Sequence, residues 1–121
     1  MKKEEFMQEA IRLSIENVES GNGGPFGVVI VKDGKIIARG VNEVTSSNDP
    51  TAHAEVVAIR NACKKLGSFQ LVGCEIYCSC EPCPMCLGAI YWSRPNKIYF
   101  ANTKKDAADI NFDDRFIYKE I

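Results

Sequence analysis

The segment Glu75-Ile76-Tyr77-Cys78-Ser79-Cys80-Glu81-Pro82-Cys83-Pro84-Met85-Cys86-Leu87-Gly88-Ala89-Ile90-Tyr91-Trp92, followed closely by Lys97-Ile98-Tyr99-Phe100-Ala101, decides the fold. Glu75 to Cys80 reads as a strand. Pro84 to Trp92 reads as a short helix whose first turn tolerates a proline, because the missing N–H has no helical partner there anyway. Lys97 to Ala101 reads as a second strand. Such a strand–helix–strand unit implies a right-handed crossover with the helix laid over the sheet.

Upstream, residues 2–19 carry a helical pattern. Met7, Ile11, Ile15 and Val18 recur at helical spacing, with Ala10 and Ser14 beside them. Ser20-Gly21-Asn22-Gly23-Gly24-Pro25 ends that helix, since glycine and proline extend it only at a cost. Phe26 to Val31 is rich in β-branched residues and strand-like. Asp33-Gly34 supplies the positive φ angles of a tight hairpin turn, and Ile36 to Val44 returns as a strand. A polar loop, Thr45 to Pro50, precedes a helix from His53 to Leu66. Val56, Val57, Ile59, Ala62 and Cys63 supply its apolar positions and Gly67 stops it. The predicted class is α/β, with helices covering a sheet. No repeat, linker or low-complexity tract divides the chain, so residues 1–121 are expected to form one domain.

Composition narrows the function. The 121 residues are 45% hydrophobic and 26% charged, which suits a globular chain rather than a disordered one. The longest apolar run, Phe26 to Val31, is strand-sized and far short of the ~18 residues of a membrane span. No apolar signal region follows Met1-Lys2-Lys3-Glu4-Glu5, so a cytoplasmic location is expected. Fifteen Lys and Arg against 16 Asp and Glu give a net charge of −1, so no overall positive field gathers nucleic acid. Four of the six cysteines crowd between residues 78 and 86. In a chain without export signals, that crowding reads as metal binding rather than disulfides.

His53 is the single histidine, and it opens a predicted helix in Thr51-Ala52-His53-Ala54-Glu55. Glu81-Pro82-Cys83-Pro84-Met85-Cys86 opens another. Cysteines three apart on a helix share a face. At a helix start the dipole also lowers the cost of losing their protons. One imidazole and two thiolates make three ligands of a tetrahedral Zn2+, one per chain, with the fourth position left for water. Glu55 follows the candidate ligand His53 by two residues and can reach that position without filling it. A carboxylate there can take a proton from water and pass it to substrate. His53-Ala54-Glu55 with Pro82-Cys83-Pro84-Met85-Cys86 is the known H-x-E…P-C-x-x-C signature of zinc deaminases.

From Phe26 to about Tyr118 the chain resembles the cytidine-deaminase-like superfamily, and within it the bacterial guanine deaminases. Ser79 to Trp92 is close to that family's pattern, and so is Asn111-Phe112-Asp113-Asp114. The resemblance implies a three-layer α/β/α fold with a mixed central sheet. It implies a zinc-dependent aminohydrolase acting on a free purine base, guanine going to xanthine and ammonia. It also implies that Phe26 stacks on the base, that Asn42 hydrogen-bonds the ring, and that Asp114 accepts from ring N–H groups. Family members continue past the position of Ile121. A homodimer with exchanged C-terminal segments is implied, with a small nucleobase as the partner molecule and neither membrane nor nucleic acid.

Two alternatives remain open on the sequence. tRNA adenosine deaminases share the His-Ala-Glu and Pro-Cys-x-Met-Cys-x-Gly-Ala elements. They usually carry His-Ser where this chain has Trp92-Ser93 and tend to be basic, which favours the free base here. A non-catalytic zinc module could use Cys78, Cys80, Cys83 and Cys86, but it leaves His53 and Glu55 unexplained. Each singled-out residue also has a plainer reading. Glu55 suits a solvated helix start, Phe26 suits the core, and Asn42 suits a cap on the turn after its strand. Asp113 and Asp114 suit an exposed acidic pair.

Overall fold

The computed structural model describes residues 3–102. The elements run α1 (Lys3–Glu19), β1 (Gly27–Lys32), β2 (Lys35–Val41), α2 (Ala54–Leu66), β3 (Cys74–Cys80), α3 (Pro84–Ser93) and β4 (Lys97–Asn102). The four strands form one sheet in the order β2-β1-β3-β4. β1 pairs antiparallel with β2 and with β3, while β3 and β4 run parallel across α3. The sheet is therefore mixed, as expected.

Asp33 and Gly34 take φ of 53° and 74°, the pair of positive angles that lets a tight turn match the twist of its strands. β1 is the inner strand of this hairpin, and five of its six residues are buried. It reads as an unbroken apolar run because both faces are covered. Val28 and Ile30 join α2 residues Ala54, Ala58 and Ala62, together with Ile76, Cys78 and Ile90. Val29 and Val31 join Phe6, Leu13 and Tyr77 on the α1 side. Helices thus cover both faces, giving three layers. Each large apolar side chain withdrawn from water in them contributes roughly 1.5–3 kcal/mol.

The face that α1 buries differs from the periodicity. Phe6, Ala10, Leu13, Ser14 and Asn17 are buried, whereas Ile11, Ile15 and Val18 are 36%, 53% and 49% exposed. The cause is close packing at Gly27. A methyl there would collide with the carbonyl of Ala10 and stand 2.8 Å from the nitrogen of Ser14. The helix therefore sets its small residues on the sheet. Phe6 reaches Tyr77, ring centres 5.3 Å apart, and Tyr77 stacks on Tyr99 at 4.7 Å.

β2 ends at Val41 rather than Val44. Asn42 Oδ1 accepts the Val44 N–H at 3.1 Å, and this side-chain turn diverts the chain from the ladder. None of the six cysteines is in a disulfide, and Cys74 and Cys78 are buried in the core with Cys63 packed against it. No helix among the described residues is long and apolar enough to cross a membrane.

Candidate active site

Two helix starts meet at the site. His53 is the N-cap of α2, with extended backbone (φ −68°, ψ 155°) and no side-chain capping bond. Its imidazole is therefore not spent on the helix. Cys83 is the N-cap of α3, also extended, and Pro84 follows in the first turn. The approach to α2 is held by a local device. Asp49 Oδ1 accepts the Thr51 N–H at 2.9 Å and its hydroxyl at 2.7 Å. These bonds draw the Asp49 carboxyl below its ordinary range. The Glu43 N–H then donates to the Ala52 carbonyl at 2.9 Å, fastening the end of β2 beside His53.

Among the described residues, one group of metal-binding side chains assembles: His53, Cys83 and Cys86, ligand atoms within 4.8 Å of one another. His53 Nδ1 lies 3.6 Å from each sulfur. Zinc–sulfur bonds of about 2.3 Å and zinc–nitrogen bonds of about 2.0 Å at a tetrahedral angle need a separation of about 3.5 Å. The residues fit the ion. Cys78 and Cys80 do not join the group, which argues against the four-sulfur module.

The electrostatics favour a thiolate at Cys83. The Cys83 thiol is drawn down to about 5, first by the hydrogen bond from Cys86 and against the push of burial, with the Cys86 backbone and His53 assisting. The Cys86 thiol is pushed up, by that same bond and then by burial. Glu55 is 8% exposed, in the first turn of α2. Burial pushes its carboxyl up, against a hydrogen bond from its own backbone, and the Cys83 charge adds to the rise.

A family model of the cytidine and deoxycytidylate deaminase zinc-binding region matches residues 1–102. The chain belongs to this deaminase family. It is 64% identical to the guanine deaminase of Bacillus subtilis over 121 residues, all of this chain and 78% of that protein. The crystal structure of a Bacillus subtilis guanine deaminase superimposes with a TM-score of 0.96 at 63% identity, over 98% of this chain and 76% of that one. The tRNA-specific adenosine deaminase of Aquifex aeolicus is 44% identical over 105 residues, 87% of this chain and 69% of that protein.

The other expected site residues are distributed as follows in this deaminase. Phe26 is half-buried against the core cluster that contains Ala54, on the same sheet face as α2. Its N–H donates to the Gly24 carbonyl at 2.9 Å, and its ring lies over Gly24, where a methyl would stand 3.3 Å away. Asn42 is half-buried, with its side-chain oxygen engaged by Val44. The turn-capping reading of Asn42 is thus correct for the oxygen, and the amide nitrogen is the group left to donate. Asp114 lies outside the described residues, as does Asp113. Sequence reading missed two anchors. The Ser79 hydroxyl accepts the Gly27 N–H at 3.0 Å, tying the end of β3 to the residue after Phe26. Asn17 reaches from α1 to Gly24 and Asn42. Ser79 stands at the start of the family-like stretch, but residue type alone does not reveal this bond, and Asn17 leaves no periodic or motif signal.

Proposed function

We propose that this chain deaminates a free purine base, converting guanine and water to xanthine and ammonia. The observation that carries it is the buried Glu55 carboxyl beside His53, Cys83 and Cys86. That set holds three metal ligands and one proton carrier. The 64% identity to a guanine deaminase, against 44% to a tRNA adenosine deaminase, supports the free base as substrate.

His53 Nδ1 and the sulfurs of Cys83 and Cys86 would hold Zn2+. When bound, the ion polarises water and brings its pKa to about 7. Glu55 takes the water proton on its carboxylate as oxygen bonds to the amino-bearing ring carbon. It passes that proton to the neighbouring ring nitrogen. It then helps deliver a proton to the departing amine as the carbon–nitrogen bond breaks. Burial favours the neutral carboxyl, which suits a group that must hold a proton between two transfers. Phe26 stacks on the base. Asn42 donates from its amide nitrogen to a ring acceptor. Asp114 accepts from ring N–H groups, which favours guanine over adenine.

The proposal includes a cytoplasmic homodimer, its C-terminal segments exchanged between subunits. The outer face of α3 supports association, since Leu87, Tyr91 and Trp92 are 38%, 59% and 72% exposed. Sedimentation showing only monomer rejects the dimer.

The deciding test is ammonia release from zinc-replete protein, offered guanine, cytosine, adenine, adenosine, cytidine and a tRNA anticodon stem-loop. Turnover of guanine alone is expected. Activity on the stem-loop alone, weakening steeply with salt, transfers the same residues to RNA editing. Silence on every substrate, with zinc bound, rejects guanine as the substrate.

A further inference from the structure

We propose that Asn17 is a positioning residue for purine binding: one buried amide fixes the two segments that carry Phe26 and Asn42. The inference rests on the roles of those two residues given above. It concerns a residue that touches neither base nor metal.

Asn17 stands in the last turn of α1 and is 4% exposed. Its amide nitrogen carries two hydrogens, and both are used. One goes to the Gly24 carbonyl at 3.0 Å, the other to the Asn42 carbonyl at 3.0 Å. The side chain cannot be turned over, because its oxygen would then face two carbonyl oxygens. The Gly24 carbonyl also accepts the Phe26 N–H at 2.9 Å. Asn17 is thus one shared acceptor away from the Phe26 backbone and bonds the Asn42 backbone directly.

The two bridged segments also press together. A methyl on Gly23 would collide with the Asn42 carbonyl and stand 3.0 Å from the Asn17 amide nitrogen. Both carbonyl oxygens converge on the one Asn17 amide nitrogen, each at 3.0 Å. Without that nitrogen each loses a part-buried hydrogen bond, and the loop before Phe26 is free to shift against the end of β2. A shift of that kind alters the distance between the stacking ring and the ring donor while leaving His53, Cys83, Cys86 and Glu55 in place. Its signature is a loss of ground-state binding, seen in KM rather than kcat.

Asn17→Asp has the same shape and neither donor. Its KM for guanine is expected to rise about tenfold or more, the loss of one to two hydrogen bonds. kcat and zinc content are expected to stay near those of the unmodified protein, and inhibition by xanthine to weaken in parallel with KM. Asn17→Ala serves if the aspartate variant does not fold. Ser14→Ala is the control. Ser14 is buried on the same helix, but its hydroxyl bonds only to Ile11 of that helix, so an unchanged KM is expected. Asn17 variants with the original KM, or with KM changed no more than in Ser14→Ala, overturn the proposal. An unmodified protein that turns over no base removes the underlying functional reading instead, and the proposal with it.

Discussion

Gly40 lies against the carbonyl oxygen of Ala54 with no room for a side chain between them. A methyl on Gly40 would collide with that oxygen and stand 2.5 Å from the nitrogen of Ala58. Ala54 separates His53 from Glu55, so the seat of α2 on β2 sets where the imidazole and the carboxyl stand. Gly40→Ala must lift the first turn of α2. It is expected to cost about 1–3 kcal/mol and to weaken zinc retention. Thermal melting and metal content after dialysis check both. A variant with unchanged Tm and full zinc content refutes this account of the helix seat.

Glu55→Gln keeps the shape of the side chain and removes its ability to carry protons. Zinc content and secondary structure are expected to match the unmodified protein. Turnover is expected to fall by about 10²–10⁴-fold, the usual contribution of a positioned acid–base group. Metal analysis beside steady-state kinetics measures it, and full retained activity contradicts the assigned role.

His53→Ala separates the three-ligand site from a site made of cysteines alone. Removing the imidazole leaves two sulfurs and is expected to weaken zinc binding at least tenfold in competition with a chelator. A four-cysteine centre would hold its metal unchanged. Native zinc affinity in this variant therefore counts against the site.

Acid stability depends partly on Glu9. Its carboxylate meets Arg12 at 2.7 Å and Arg39 at 2.8 Å, joining α1 to β2. The hydrogen bond from Arg12 leads in drawing the carboxyl from 4.5 down to about 2, with Arg39 assisting. A carboxylate depressed in the folded state stabilises fully above its unfolded value, and that stabilisation fades as pH falls toward the folded one. Both arginines are half in solvent, so about 1 kcal/mol is at stake rather than the full shift. Glu9→Gln is expected to be less stable by that amount near pH 7. The gap should close between pH 4.5 and 2. Melting curves across that range test it, and a gap independent of pH excludes the ion pair as its source.

The legible parts of this chain are those whose cause lies within a few residues. Asp33-Gly34 turns because those residue types accept positive φ. The candidate ligands and the proposed acid are readable because a helix start favours thiolates and because His53 and Glu55 are two residues apart. The strand–helix–strand unit is readable from its change of apolar period. The face of α1 was not. Its Ile11, Ile15 and Val18 keep a helical period yet stand exposed, because Ala10 and Ser14 are small enough to lie on Gly27. The meeting of His53 with sulfurs thirty and thirty-three residues away was expected from a motif, but tertiary structure alone supplies its geometry. Asn17 was invisible for the same reason. Its partners are backbone carbonyls seven and twenty-five residues distant, and a carbonyl has no identity in a sequence. Local chemistry follows from residue type, whereas long-range fit follows from which backbones can approach, and that is settled only when the layers close on one another.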